Sequence, residues 1–346
     1  MTQEEIRRIP KVELHRHLEL SYRLSTLKEL AQQAGIPIPT SDSELKKQWL
    51  ITEPMADLES VLKKFLLTQT LLSSEEILTR LTYEAIEDAC NEGVRILELR
   101  YAPTYIREGH PNLDFDRIHR AIMKGVEQAK HLPIAVGLIM IIQRTLPLAV
   151  AEEVTDFAIA HKGEILALDL ADNESGFEPA LFTSMFERAR AAGLHITVHA
   201  GEVNIPEAPG YVRDAIEKLG AERIGHGVQI WKSMEVMEFV YSRQVPLELC
   251  LTSNWLTNAV PSFEEHPFRK LFESGLLVTI NSDDPGIFNT DLVKEYQILH
   301  EKQGITEGQF NRINDIAASA SFIPFEVKQK YWPRPIDRTL APMSNR

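Results

Sequence analysis

The chain has 346 residues, 44% hydrophobic and 25% charged, with a formal net charge of −13. No basic stretch offsets that charge, which excludes a general nucleic-acid or anionic-membrane binder but leaves room for a small ligand without phosphate. Two cysteines, Cys90 and Cys250, are too few for a disulfide scaffold.

The first residues, Met1-Thr2-Gln3-Glu4-Glu5, are polar, and the longest apolar run, 134–142, is too short to span a bilayer. The expected setting is a soluble, reducing cytoplasm. Short β-branched runs end near Leu14, Arg100, Ile142, Asp169, His199, His226, Cys250 and Asp283, with longer stretches between them. The stretches 76–91, 152–161, 180–192 and 212–219 have helical period, and Gly93, Gly193, Gly220 and Gly275 stand where helix C-caps precede strands. Eight strands in this alternation predict an α/β fold of the (β/α)₈ TIM-barrel type, forming a single domain over 1–346.

The first connection, roughly 21–91, is too long for one crossover helix and predicts extra helices inserted after the first strand. Within it Leu58, Val61, Leu62 and Phe65 recur at helical spacing. That stripe suits either a lid over the barrel mouth or simple packing on the barrel. The tail, roughly 333–346, carries Pro333, Pro335 and Pro342 and is expected to be irregular.

The chemistry-bearing residues all follow strand ends, where parallel-sheet enzymes display their sites. Residues two apart on a strand share a face, so His15 and His17 reach one point. His199 and Asp283 arrive there from distant strands. Three histidines and a carboxylate hold a zinc ion and leave a position for water. Glu202, three residues past His199, stands near such an ion without being required as a ligand, as a proton donor and acceptor or as a helix cap. His226, between Gly225 and Gly227, has little bulk beside it, which leaves room for substrate or water to approach closely. It suits a role orienting the attacking water, a fifth ligand or a core histidine. Of the adjacent pair Asp283-Asp284, the ligand is ionised while its neighbour in a closed pocket can hold a proton.

The segments Pro10-Lys11-Val12-Glu13-Leu14-His15-Arg16-His17-Leu18, Thr197-Val198-His199-Ala200-Gly201-Glu202, Arg223-Ile224-Gly225-His226-Gly227, Thr252-Ser253-Asn254 and Asn281-Ser282-Asp283-Asp284-Pro285 together resemble the adenosine deaminase family of metal-dependent amidohydrolases. The resemblance implies one zinc ion on His15, His17, His199 and Asp283. It implies catalytic roles for Glu202, which protonates purine N1, for His226, which with Asp283 orients the attacking water, and for Asp284, which meets N7 as a protonated carboxyl. It also implies that Leu58, Leu62 and Phe65 line a hydrophobic lid, and that His17, Glu19, Asp172 and Asp284 bind substrate.

The implied reaction is deamination of adenosine and 2′-deoxyadenosine to the inosine product and ammonia. Two positions depart from the family pattern. After His17 the chain reads Leu18-Glu19-Leu20, and Glu19 reaches a ribose 5′-hydroxyl from one methylene further than aspartate. Asp172 stands where glycine is usual, bringing a carboxylate toward an acceptor nitrogen, N3. Adenine and 5′-modified adenosines such as 6-aminodeoxyfutalosine are therefore alternative substrates, and a catalytically silent purine-binding barrel is a remoter one. The expected partner is a small purine nucleoside or base, with no nucleic acid and no membrane.

Overall fold

The computed structural model describes residues 1–55 and 58–340, with 58–63 as backbone alone. Eight parallel strands pair in sequence order. They are β1 (Lys11–His17), β2 (Val94–Tyr101), β3 (Ala135–Gln143), β4 (Ile165–Ala171), β5 (His195–Ala200), β6 (Arg223–His226), β7 (Leu247–Leu249) and β8 (Val278–Ile280). The ring closes at its mouth, where the Asp283 amide donates to the His15 carbonyl at 3.0 Å and the His17 amide to the Asp283 carbonyl at 2.9 Å. All eight expected strands are present.

β3 is aliphatic almost throughout, since one face meets helices and the other the barrel interior. Other strands place charge at alternate positions. Glu98 and Arg100 on β2, Asp169 on β4, Arg223 on β6 and Glu248 on β7 are fully buried. With a period of two, these side chains point inward between aliphatic neighbours that point out. The barrel interior is therefore a packed ionic lattice in addition to an apolar core.

Helix α1 (Gln3–Arg8) precedes β1 and starts with a capping box on Thr2. The long first connection folds into α2 (Leu24–Gln33), α3 (Asp42–Trp49), α4 (Leu58–Leu71) and α5 (Glu75–Asn91), as its length demanded. α6 (Pro103–Arg107) and α7 (Phe115–Gln128) lead to β3, and α8 (Leu148–Ala160), α9 (Thr183–Ala192), α10 (Ala208–Asp214) and α11 (Met234–Arg243) make the next four crossovers. α12 (Leu251–Leu256) and α13 (Phe268–Glu273) join β7 to β8, and α14 (Leu292–Gln303) and α15 (Glu307–Ala320) follow. The stretch expected to be helical over 212–219 divides into α10 and a π-turn, Ala215–Leu219, which ends at Gly220 with φ 74°. A left-handed residue there stops the helix and turns the chain into β6.

The residues after α15 plug the end of the barrel opposite the mouth. Ser321 Oγ and the Phe322 amide donate to Glu98 at 2.7 and 2.5 Å, and the Arg223 guanidinium lies 3.6 Å from the centre of the Phe322 ring. Of the tail, 333–340 is irregular apart from a 3₁₀ turn, Arg338–Leu340, and Arg334 ties it to Asp315 of α15 at 2.7 Å. Residues 341–346 lie outside the described chain. No helix among the described residues is long and apolar enough to cross a membrane.

Candidate metal centre and active site

The ends of β1, β5 and β8 bring His15, His17, His199 and Asp283 together, with one ligand atom from each lying within 4.8 Å of the others. His17 Nε2 is 3.2 Å from Asp283 Oδ1 and 3.3 Å from His199 Nε2, and His15 Nε2 is 3.3 Å from the same carboxylate oxygen. Asp283 adopts φ 62°, a strained conformation for a non-glycine residue. The turn it makes lets both Asp283 and Asp284 face the cavity.

Two of the histidines are aimed by carboxylates behind them. His15 Nδ1 lies 2.8 Å from Glu248, and His199 Nδ1 lies 3.1 Å from Asp169. A carboxylate only accepts, so each Nδ1 carries the hydrogen and each Nε2 offers a bare lone pair to the cluster. His15 Nε2 is a buried nitrogen without a hydrogen-bond partner among the described residues. An orphaned nitrogen facing two imidazoles and a carboxylate fits a metal ion, which supplies the missing partner. Arg100 bridges the two supporting carboxylates, donating to Asp169 and Glu248 at 2.7 and 2.8 Å, and Arg223 joins Glu248 to Glu98 at 2.6 Å each.

Glu202 stands on the loop after β5. The Glu174 carboxylate accepts the backbone amides of Gly201, Glu202 and Val203 at 2.7–2.9 Å and so holds that loop in place. Burial, and then the charge of Asp283, push the Glu202 carboxyl up to about 7. The same two causes hold Asp284 well above the usual carboxylate range. Burial acts on Asp283 in the same sense, but the close approach of the His15 and His17 rings outweighs it and holds Asp283 well below that range. One ionised carboxylate, one protonated one and one poised near neutrality thus share a small space.

A cavity of about 600 Å³ opens above the cluster. His17, Glu19, Asp172, His199, Glu202, His226, Asp283 and Asp284 all line it. Phe65 of α4 closes one side, and its carbonyl accepts from Tyr105 Oη at 2.7 Å. The side chains of Leu58 and Leu62 lie outside the described residues. Glu19 sits in a 3₁₀ turn, Leu18–Leu20, and accepts the Ala102 amide. The Asp172 carboxylate turns to Thr145 Oγ1 at 2.6 Å, to Gln143 Nε2 at 3.4 Å and to the Asn173 amide at 2.6 Å.

Residues 10–334 match the family model described as adenosine deaminase. The chain belongs to the adenosine deaminase family. It is a hydrolytic deaminase of the metal-dependent amidohydrolases. An adenosine deaminase of Klebsiella pneumoniae is 36% identical over 322 residues, covering 92% of this chain and 96% of that protein. In structure, an adenine deaminase from Arthrobacter aurescens superposes with TM-score 0.83 at 27% identity, over 92% of this chain and 96% of that one. An N6-methyl-AMP deaminase from Arabidopsis thaliana gives 0.82 at 29%, over 95% and 97%.

The family pattern is kept differently at its two departures. Asp172 adopts φ 82°, the backbone a glycine takes without strain, and its own hydrogen bonds hold the carboxylate sideways. Asp172→Ala is expected to lose about 1–2 kcal/mol of stability, measured by urea unfolding, because alanine keeps the strain and loses the bonds. Asp172→Gly should lose clearly less. The glycines beside His226 have another use than the one expected. A Cβ on Gly225 would come within 2.9 Å of the His15 ring, and one on Gly227 within 2.7 Å of Leu247. That space is filled by packed protein, not left for substrate.

Sequence reasoning did not assign Glu174, Arg100, Asp169 and Glu248 their supporting positions. The signal was available in part, as single charges at alternate places in otherwise aliphatic strands.

Proposed function

We propose that the protein catalyses zinc-dependent hydrolysis of adenosine and 2′-deoxyadenosine to inosine or 2′-deoxyinosine and ammonia. The observation that carries this reading is the pairing of a three-histidine, one-carboxylate cluster with two buried carboxyls beside it that are pushed toward the protonated form. His15, His17, His199 and Asp283 would hold the zinc, whose preference for nitrogen with one oxygen donor suits this set. When bound, zinc supplies Lewis-acid activation of a water molecule.

The remaining roles fall to the protein. Glu202 gives a proton to purine N1, which makes C6 electrophilic as water attacks it. His226 and Asp283 orient that water, and Asp284 donates to N7. His17 and Glu19 border the bound substrate, with Glu19 facing the ribose side, and the Asp172 amide faces N3. Phe65 of α4 closes one side of the cavity and excludes water there, and the lid expected from Leu58 and Leu62 lies outside the described side chains. The described lining residues include five carboxyl groups and no lysine or arginine. With no cation among these residues to pair with it, a 5′-phosphate is left unmatched, which supports a nucleoside over a nucleotide.

The test is ammonia release by zinc-loaded protein offered adenosine, 2′-deoxyadenosine, adenine, AMP and 6-aminodeoxyfutalosine. The expected result is the highest kcat/KM on the two nucleosides. A preference for adenine or the 5′-modified nucleoside would move the assignment to it, and release from none would overturn deamination.

A further inference from the structure

His226 closes β6 and adopts φ 60°, with Nε2 3.6 Å from Glu202 Oε2 and 3.8 Å from Asp283 Oδ2. Its other nitrogen faces away from the cavity. His226 Nδ1 lies 3.1 Å from the Asn254 side-chain nitrogen, and Asn254 Oδ1 lies 3.1 Å from His266 Nε2. His266 Nδ1 in turn meets the backbone amide of Phe268, the first residue of α13, at 3.1 Å. All three side chains are buried.

The direction of every bond in this chain follows from its last member. A backbone amide only donates, so His266 Nδ1 is bare and its ring hydrogen sits on Nε2. That hydrogen needs an acceptor, so the amide oxygen of Asn254 faces it and the NH₂ group faces His226. The Asn254 NH₂ also only donates. His226 Nδ1 is therefore the acceptor, and the His226 hydrogen is on Nε2, aimed at the cavity. His15 and His199 are held in the opposite sense, with Nδ1–H on a carboxylate and Nε2 bare.

We infer that Asn254 and His266 are positioning residues that lock His226 as its Nε2–H tautomer, so that it donates a hydrogen bond to the attacking water and is neither a metal ligand nor an acceptor of the water's proton. One molecule thus sets His15 and His199 apart from His226 by what stands behind each ring. A carboxylate behind the ring makes a ligand, and an amide NH₂ behind it makes a donor. The consequence for turnover rests on the deamination reading, but the tautomer itself does not.

The test is long-range ¹H–¹⁵N correlation of the zinc-loaded protein labelled with ¹⁵N-histidine, without substrate, with His226 assigned by the signals lost in His226→Gln. The expected result is a bare Nδ1 and a hydrogen-bearing Nε2 on His226. A hydrogen on Nδ1 would overturn the inference, whatever the enzyme turns over. Asn254→Asp sets an acceptor between two rings and should draw the His226 hydrogen to Nδ1. With adenosine its kcat should fall on the order of 10²–10⁴-fold, as a wrong tautomer does in other enzymes, with KM changed less than about threefold. An unchanged tautomer in folded Asn254→Asp counts against the lock. If that variant does not fold, a second pair decides. His266→Gln keeps an N–H for Asn254 and should keep the Nε2–H tautomer, while His266→Leu should give a mixture. Identical spectra for the two overturn the role of His266.

Discussion

Glu202→Gln is expected to retain its full complement of metal while kcat on adenosine falls by on the order of 10²–10⁴-fold. The glutamine keeps the shape of the side chain and still fills its place beside His226, so the four donors on β1, β5 and β8 are undisturbed. What it cannot do is pass a proton to a ring nitrogen and recover one. Burial and the charge of Asp283 raise the wild-type carboxyl to about 7, which keeps it protonated in the acid range and stocked for donation near neutrality. Above that pH the carboxyl ionises and the donor is lost, so the wild-type kcat/KM should decline on the alkaline side. Metal analysis beside steady-state kinetics checks both halves. Loss of metal in the variant, or turnover near the wild-type rate, would contradict the proton-donor role.

Arg100→Met is expected to cost about 3–5 kcal/mol of stability and to weaken metal binding by about 10–100-fold. Arg100 is fully buried and donates to Asp169, to Glu248 and to the Leu14 carbonyl. Methionine matches its volume but leaves two carboxylates inside the barrel with less positive charge. Those carboxylates orient His199 and His15, so their loss of order reaches the metal directly. The pH dependence has a definite sign. Burial would raise Glu248, but Arg100 and Arg223 hold it well below the usual carboxylate range. Asp169 is likewise depressed against burial, by His199 and Arg100. Carboxyls depressed on folding contribute stability that is complete above about pH 5 and is lost as pH falls through their folded values. Urea midpoints of the wild type should therefore drop steeply below about pH 4, and Arg100→Met should show a smaller drop from a lower plateau. Equal slopes would mean that Arg100 is not what depresses them.

Much of the site was legible because its members sit just past aliphatic runs, where strand ends and chemistry coincide. His15 and His17 share a face by strand period alone, and the ring of eight strands follows from their alternation with helices. What periodicity could not give was partnership across the barrel. Glu98, Arg100, Asp169, Arg223 and Glu248 announce themselves as odd charges in apolar strands, yet only the closed ring shows that they neutralise one another. Gly225 read as open space, because a missing side chain does not reveal that the His15 ring fills the gap. His266 lies in a loop with no period at all, and nothing local marks it as the start of a hydrogen-bond chain. Leu58 and Leu62 remain assigned by their spacing on α4.

The closure of the barrel at Asp283 bears on how the protein is made. His15 and His17 leave the ribosome more than 260 positions before Asp283. The seam between β1 and β8 cannot zip until then, and Glu98 waits longer still for Ser321 and Phe322. Over that interval a nascent chain carries two imidazoles of the cluster without the carboxylate that completes it. The four-donor cluster can therefore form only once the Asp283 seam has closed.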